Sequence, residues 1–172
     1  MTIQEIENRY HELCNIESDI NTHLPILREY AEQCVKVTEL GVRGCVSLYA
    51  FLSAYTVEKV VAIDILNVWT PDVSKLQFIC ADDLAIEIEQ TEMLFIDTVH
   101  NYKHCIQELN LHANKVDKFI AFHDTFVFGE YGDDSEKGLL YAIDEFLEKN
   151  KDWRICYMTE KNNGLTILRK KR

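Results

Sequence analysis

The sequence predicts an α/β domain: a doubly wound, mostly parallel sheet with helices on both faces and an antiparallel hairpin at its C-terminal edge. Three observations carry that expectation. Apolar runs of strand length alternate with stretches of helical period, and the central runs are apolar on both faces. The last two runs lie too close together in sequence for a crossover helix.

At the N-terminus, Ile3, Ile6, Tyr10 and Leu13 recur at helical spacing across residues 3–14. The segment "SDINTHLP", 18–25, supplies capping side chains and then a proline suited to a first turn, so a second helix runs to about Cys34. "VKVTEL" then alternates as a strand, "GVRG" breaks it, and "CVSLYAFLSA" resumes helical period. Strands follow at "EKVVAIDI", "LQFICADD", "EMLFID" and "DKFIAFHD", with the helix "NYKHCIQELNLHANKV" between the last two. "KGLLYAIDEFLEKN" is an amphipathic helix, and strand and helix thus alternate along the chain. "WRICYM" and "GLTILRK" are joined only by "TEKNNG", which makes them an antiparallel pair. No repeat or linker divides the sequence. Residues 1–34 read as a helical N-terminal segment and 35–172 as the core of one domain.

Composition narrows the function. A chain of 172 residues can bury a real core, and 47% hydrophobic residues with two prolines exclude a disordered or collagen-like chain. A formal charge of −11 argues against nucleic acid as a partner, and the one basic cluster, "LRKKR" at 168–172, reads as a solvated tail. No apolar run approaches a membrane span, and "MTIQEIENRY" has no signal-peptide core. The six cysteines form no CxxC pair, and several fall on apolar periodic positions, as reduced thiols do in a cytosolic protein. The expectation is a cytoplasmic protein with a small-molecule or glycan partner, no nucleic acid and no membrane.

Ligands of doubly wound sheets gather outside the carboxyl ends of the strands. Those ends are Glu39-Leu40-Gly41, Asp64, Asp82-Asp83, Asp97 and His123-Asp124, and every one is acidic. A polar residue must follow any buried strand, so a single such ending is ordinary. A whole rim of them suits a ligand bearing positive charge, several hydroxyls, or a metal. The turn "ELGVRGCVS" lacks the GxGxxG fingerprint, but Gly41 and Gly44 would allow close backbone approach, and Ser47 falls in the first turn of the following helix. Asp64, about twenty residues further on, is placed to take two ribose hydroxyls. No lysine-bearing phosphate cradle is present, which removes a P-loop.

The ordered series "ELGVRGCVS … VVAID … ADDL … FIDTVHNY … FHDT … NNGLTIL" resembles the Rossmann-like class I S-adenosylmethionine-dependent methyltransferases. Within them it is most similar to the branch of macrocin-type and cephalosporin-type O-methyltransferases and small sugar O-methyltransferases. The resemblance runs from "SDINTHLP" to "NNGLTIL". It implies that Glu39, Gly41, Arg43, Gly44 and Ser47 surround the methionine and ribose of S-adenosyl-L-methionine. It also implies that Asp64 binds the ribose hydroxyls and that Asp82 or Asp83 meets the adenine amino group. A sulfonium needs no anion cradle, so the acidic rim suits it.

Methyl transfer to a hydroxyl is an in-line displacement that must also remove a proton. By the same resemblance His100 would be the general base beside Asp97, its imidazole titrating near neutral pH. Asp97 and Asp124 would hold Mg2+ or Mn2+, with His123 either a third ligand or a donor to a neighbouring carboxylate. The family pattern pairs two acidic residues at the later strand end. His123 stands in place of the first, and imidazole favours a softer ion such as manganese over magnesium. Tyr102 would orient the acceptor, and Asp19, Asn21 and His23 would fold over the pocket besides capping the second helix. The loop "TFVFGEYGDDSEKG", 125–138, has the length and glycine content of a substrate lid. His11, His104 and His112 read as surface groups on helices. The implied acceptor is a sugar hydroxyl of a glycan or glycoside. Two other readings stand beside it: a cofactor-binding partner subunit without catalysis, and a metal-dependent phosphohydrolase using His123-Asp124.

Overall fold

In the computed structural model, which describes residues 1–171, the chain opens with helix α1 (Ile3–Asn15). Its start is a capping box: Thr2 Oγ1 accepts from the Glu5 amide at 3.2 Å, and the Glu5 carboxylate accepts from the Thr2 amide at 2.7 Å. A 3-10 turn over Asn21–His23 leads into α2 (Leu24–Ala31), with Pro25 in the first turn as expected. The remaining elements are β1 (Lys36–Leu40), α3 (Leu48–Ser53), β2 (Lys59–Asp64), β3 (Leu76–Cys80), β4 (Thr91–Ile96) and α4 (Tyr102–His112). They are followed by β5 (Val116–His123), α5 (Leu139–Lys149), β6 (Trp153–Thr159) and β7 (Leu165–Lys170).

The strands form one sheet in the order β3-β2-β1-β4-β5-β7-β6. The five strands β1 to β5 pair in parallel, and β7 runs antiparallel to both of its neighbours. The expected C-terminal hairpin is there, but its second strand lies inside the sheet and its first forms the edge. This corrects the reading of 168–172 as a solvated tail. Leu168 is buried and Lys170 Nζ donates to the Val116 carbonyl at 3.1 Å, while Arg172 lies outside the described residues.

Side chains alternate along each strand, so the sheet builds two cores. One holds Val37, Val60, Phe95 and Phe119 against α1, α2 and α3; the other holds Leu40, Ile63, Ile96 and Phe122 against α4 and α5. The alternation of strand and helix is not continuous, however. The connections 65–75 and 81–90 contain no helix: the first carries Pro71, and the second is short for a crossover helix. They leave β3 half-covered and place their apolar residues around the carboxyl ends of the strands. Helix α3 starts three residues later than its periodicity suggests, because Cys45 is left-handed at φ 60°. No helix among the described residues is long and apolar enough to cross a membrane.

Phe95, fully buried on a central strand, meets Phe51 edge-on at 5.6 Å between centroids. Phe95→Ala should lower unfolding free energy by about 3–5 kcal/mol in urea titrations, with the denaturant slope unchanged.

Candidate functional site

The parallel pairing of β1 with β2 and β4 brings three strand ends together, and the glycine turn after β1 passes between them. The Gly41 amide donates to the Ile63 carbonyl and the Asp97 amide to the Leu40 carbonyl, both at 2.9 Å. Gly41 sits at φ +82°, and a Cβ there would fall 2.0 Å from the Asp97 carbonyl oxygen. Glycine is therefore demanded by the protein itself at 41. At Gly44 an added Cβ would meet nothing closer than Val46 Cγ2 at 3.9 Å, so no contact inside the protein requires that glycine.

Asp64 holds this turn. Its Oδ2 accepts from the amides of Val42 at 2.8 Å and Arg43 at 2.9 Å, and its Oδ1 accepts from the Leu66 amide at 2.8 Å. Burial works against ionisation, but the three amides outweigh it and keep the carboxyl below its usual range. Three of its roughly four acceptor positions are used, leaving one for an outside donor. Glu39, wholly buried beneath, accepts from Ser47 Oγ through Oε1, and its Oε2 has no partner. Burial pushes the Glu39 carboxyl up to about 8, with Ser47 opposing and the charges of Asp97 and Asp64 adding.

A cavity of about 540 Å³ opens at these ends. Of the residues expected around a cofactor it gathers Gly41, Arg43, Asp64, Asp82 and Asp83, together with Asp97. Glu39, Gly44 and Ser47 lie outside its lining. Sequence reasoning missed its apolar side, formed by Ile65, Leu66, Val68, Leu84 and Val99. The two adjacent aspartates, inseparable in sequence, differ here. Asp83 Oδ2 lies 2.9 Å from His104 Nε2, whereas Asp82 is exposed and uses Oδ1 to accept from the Leu84 amide at 2.9 Å.

Next to the cavity, the ends of β4 and β5 bring Asp97, His100 and Asp124 together, one ligating atom of each lying within 4.8 Å of the others. His100 Nε2 is 3.0 Å from Asp124 Oδ2 and 3.6 Å from Asp97 Oδ1, without the alignment of a hydrogen bond to either. Asp124, left-handed at φ 60°, leaves its buried Oδ1 without a hydrogen-bond partner. Burial works against ionisation of Asp97, but the two histidines outweigh it and hold the carboxyl down to about 2. Burial likewise opposes a proton on His100, yet Asp124 and Asp97 push it up to about 9. Two carboxylates beside the ring thus favour its protonated form, against the expectation of an imidazole titrating near neutral pH.

Of the two readings of His123, the geometry matches the donor to a neighbouring carboxylate. His123 Nδ1 lies 3.3 Å from Asp97 Oδ1, and its Nε2 lies 3.0 Å from the Asp19 carbonyl and 3.3 Å from that of Asn162. All three partners are acceptors, so both ring nitrogens donate and neither offers a lone pair. The groups whose ligating atoms lie together are thus Asp97, His100 and Asp124, while both nitrogens of His123 face other oxygens.

Asp19 meets the site through its carbonyl. Asn21 Oδ1 accepts from Asn162 Nδ2 at 2.7 Å, and buried His23 donates to the Asn162 carbonyl at 2.9 Å. Asn21 and His23 tie "SDINTHLP" to the β6–β7 turn and Asp19 ties it to His123, and none of the three lines the cavity; no side chain caps α2, and Ser18 Oγ accepts from the Asn21 amide at 3.0 Å. Tyr102 faces away, its hydroxyl donating to Glu145 at 2.6 Å. The 125–138 loop is tied down rather than free to close. The Asp133 amide donates to the His100 carbonyl at 3.0 Å, the Gly132 amide to Glu136 and the Tyr102 amide to Lys137 at 2.9 Å each, and Phe128 stacks on the His100 ring at 4.8 Å. His104 and His112 also depart from expectation: both turn inward onto Asp83, and only His11 is a surface group. The missed signal was spacing, since His104, Glu108 and His112 fall on one helix face.

No family model matches the chain, and neither does any curated protein. Solved structures do. The chain is similar to the S-adenosylhomocysteine-bound methyltransferase PaMTH1 of Podospora anserina, at 14% identity and TM-score 0.63 over 97% of this chain and 88% of that one. The methyltransferase MycE of the mycinamycin biosynthetic pathway, solved with Mg and S-adenosylhomocysteine, matches at 18% identity and TM-score 0.69. That match covers 99% of this chain but 55% of MycE, about half its length. The O-methyltransferase TomG of Streptomyces achromogenes, in complex with S-adenosylmethionine, matches at 12% identity and TM-score 0.61, over 99% of this chain and 89% of TomG. At these identities the likeness establishes the fold: the chain has the fold of S-adenosylmethionine-dependent methyltransferases.

Two predictions follow from the turn. Gly41→Ala should destabilise by about 2 kcal/mol or more in thermal unfolding, whereas Gly44→Ala should stay within about 0.5 kcal/mol of the parent. Glu39 is protonated when folded at pH values where the unfolded chain has already lost its proton, so it costs stability as pH rises from 4.5 to about 8. Glu39→Gln, which keeps an acceptor for Ser47, should therefore raise the melting temperature at pH 8 and change it little at pH 4.5.

Proposed function

We propose that the chain is an S-adenosylmethionine-dependent O-methyltransferase acting on a sugar hydroxyl of a glycan or glycoside. The observation that carries the reading is the cavity at the ends of β1 to β4, floored by the Gly41 turn, walled by Asp64 and Asp82, and adjoining the Asp97–His100–Asp124 cluster. The methyltransferase fold supports the cofactor. The sugar acceptor rests on the resemblance of "DTVHNY" and "FHDT" to the sugar-modifying branch. The reading includes a cytosolic location, supported by Cys34, Cys45 and Cys105, each buried as a single thiol.

In this assignment Asp64 has one acceptor position left for a ribose hydroxyl, and exposed Asp82, rather than engaged Asp83, is free to accept from an adenine amino group. The apolar wall of Ile65, Leu66 and Leu84 suits a flat base. When bound, the cofactor supplies an electrophilic methyl group in a positively charged sulfonium, which the acidic rim favours.

Asp97 and Asp124 fit a divalent ion. They are two carboxylates beside an imidazole, and a buried Asp124 oxygen and the His100 ring nitrogen both lack hydrogen-bond partners. The ion would supply Lewis-acid polarisation of the acceptor hydroxyl. The same two carboxylates can instead balance a proton on His100. His100 can take the acceptor's proton only when it is not already holding one, so the carboxylates must be neutralised otherwise for it to act as the base. Phe128, stacked on the ring, and Asp133, tied to the His100 backbone, fix its orientation.

Calorimetric titration of the full chain with S-adenosylhomocysteine tests the cofactor: saturable binding is expected, weakened at least tenfold by Asp82→Asn, and no binding to folded protein ends the reading. With a sugar acceptor in hand, His100→Ala should lower the rate about 10²–10⁴-fold while leaving S-adenosylhomocysteine affinity within a factor of three. Asp124→Asn should lower both the rate and divalent-ion affinity.

A further inference from the structure

Beside the cavity, α4 turns His104, Glu108 and His112 inward at successive i, i+4 positions, where a helix meeting a core is ordinarily apolar. All three face the helix-free 81–90 connection. His104 Nε2 lies 2.9 Å from Asp83 Oδ2 and 3.7 Å from Glu108 Oε1. Glu108 is wholly buried; its Oε1 accepts from Thr98 Oγ1 at 2.6 Å, and its Oε2 has no partner. His112 Nε2 donates to the Asp83 carbonyl at 2.9 Å, fixing the backbone that carries the second carboxylate. Asp83, His104 and Glu108 thus each present one ligating atom, all within 4.8 Å of one another.

Two carboxyl groups buried this close cannot both stay ionised unless a positive charge lies between them, either a proton or a metal ion. The geometry points to a second divalent-cation site made by Asp83, His104 and Glu108, separate from the Asp97–Asp124 pair and suited to a transition ion of the Zn2+ or Co2+ class. Two oxygens and one imidazole nitrogen are a donor set for such ions, and three protein ligands leave a coordination position open. Asp83 and His104 line the cavity, so the cluster sits at its wall. The inference does not depend on what the cavity binds.

Chelator-stripped full chain, titrated with Co2+ or Zn2+ without any cofactor, tests it by equilibrium dialysis and by the imidazole NMR signals of His104. The wild type should take two ions per chain; His104→Ala and Glu108→Gln should each take one, and Asp124→Asn should lose the other. Removing the core carboxyl of Glu108 risks misfolding, so the NMR readout is made on the wild type. There, Zn2+ should shift the His104 ring signals by an amount that saturates, and added acid should reverse it. The site is overturned if His104→Ala binds as many ions as the wild type, or if the His104 signals stay in place once the protein is saturated.

Discussion

The site depends on how closely the end of β1 passes the end of β4. A single missing Cβ makes that approach possible, because the Asp97 carbonyl occupies the space any side chain at Gly41 would need. Once the ends are that close, the turn after Gly41 has to fold back between β1 and β2, and Asp64 is the group that receives it. Three amides converge on that carboxylate from both sides of the turn. The left-handed Arg43 and Cys45 are strained positions that such convergence can hold. The cavity is what remains outside this knot of backbone, so its floor is set by sheet geometry and not by side chains that could rearrange.

Around that floor the acids separate by environment. Glu39 and Glu108 are buried with few donors and rise to about 8, whereas Asp97, on the cavity wall and flanked by two histidines, falls to about 2. A chain carrying −11 overall would be hard pressed to bury Glu39, Glu108 and Asp124 if all were ionised. Distributing them between neutral acids and histidine-balanced carboxylates solves this without lysine or arginine inside. It also sets a histidine among the acids of each cluster, His100 beside Asp97 and Asp124 and His104 beside Asp83 and Glu108.

The strands and the acidic rim were legible because period-2 apolar runs and terminal carboxylates are local signals. What was not legible came from side chains whose direction depends on a distant partner. His104 and His112 sit on a helix that reads as amphipathic, yet its polar stripe points inward, because the 81–90 connection brings Asp83 there instead of a helix with an apolar face. Tyr102 looked like an acceptor contact by proximity to His100, but it is the first residue of α4 and points toward Glu145 on α5. The inserted position of β7 was invisible to sequence, since a hairpin turn fixes pairing but not which strand takes the edge.

His123 joins these arguments. It occupies a strand-end position where a third acid would extend an oxygen cage around an ion, and its two nitrogens are instead taken by oxygens from three separate segments, at 19, 97 and 162. Asn162, left-handed at φ 42° in the β6–β7 turn, is held to the same N-terminal segment by its own side chain, which donates to the Ser18 carbonyl and to Asn21. The N-terminal segment, the end of β4 and the final hairpin are therefore joined at one imidazole. Replacing an acid by a histidine there removes a ligand and adds a tether. The tether can form because a protonated ring donates in two opposite directions, which no carboxylate does. The wall behind Asp97 is thereby tied to three segments of the chain, and His123 has no free nitrogen to turn toward the Asp97–Asp124 pair.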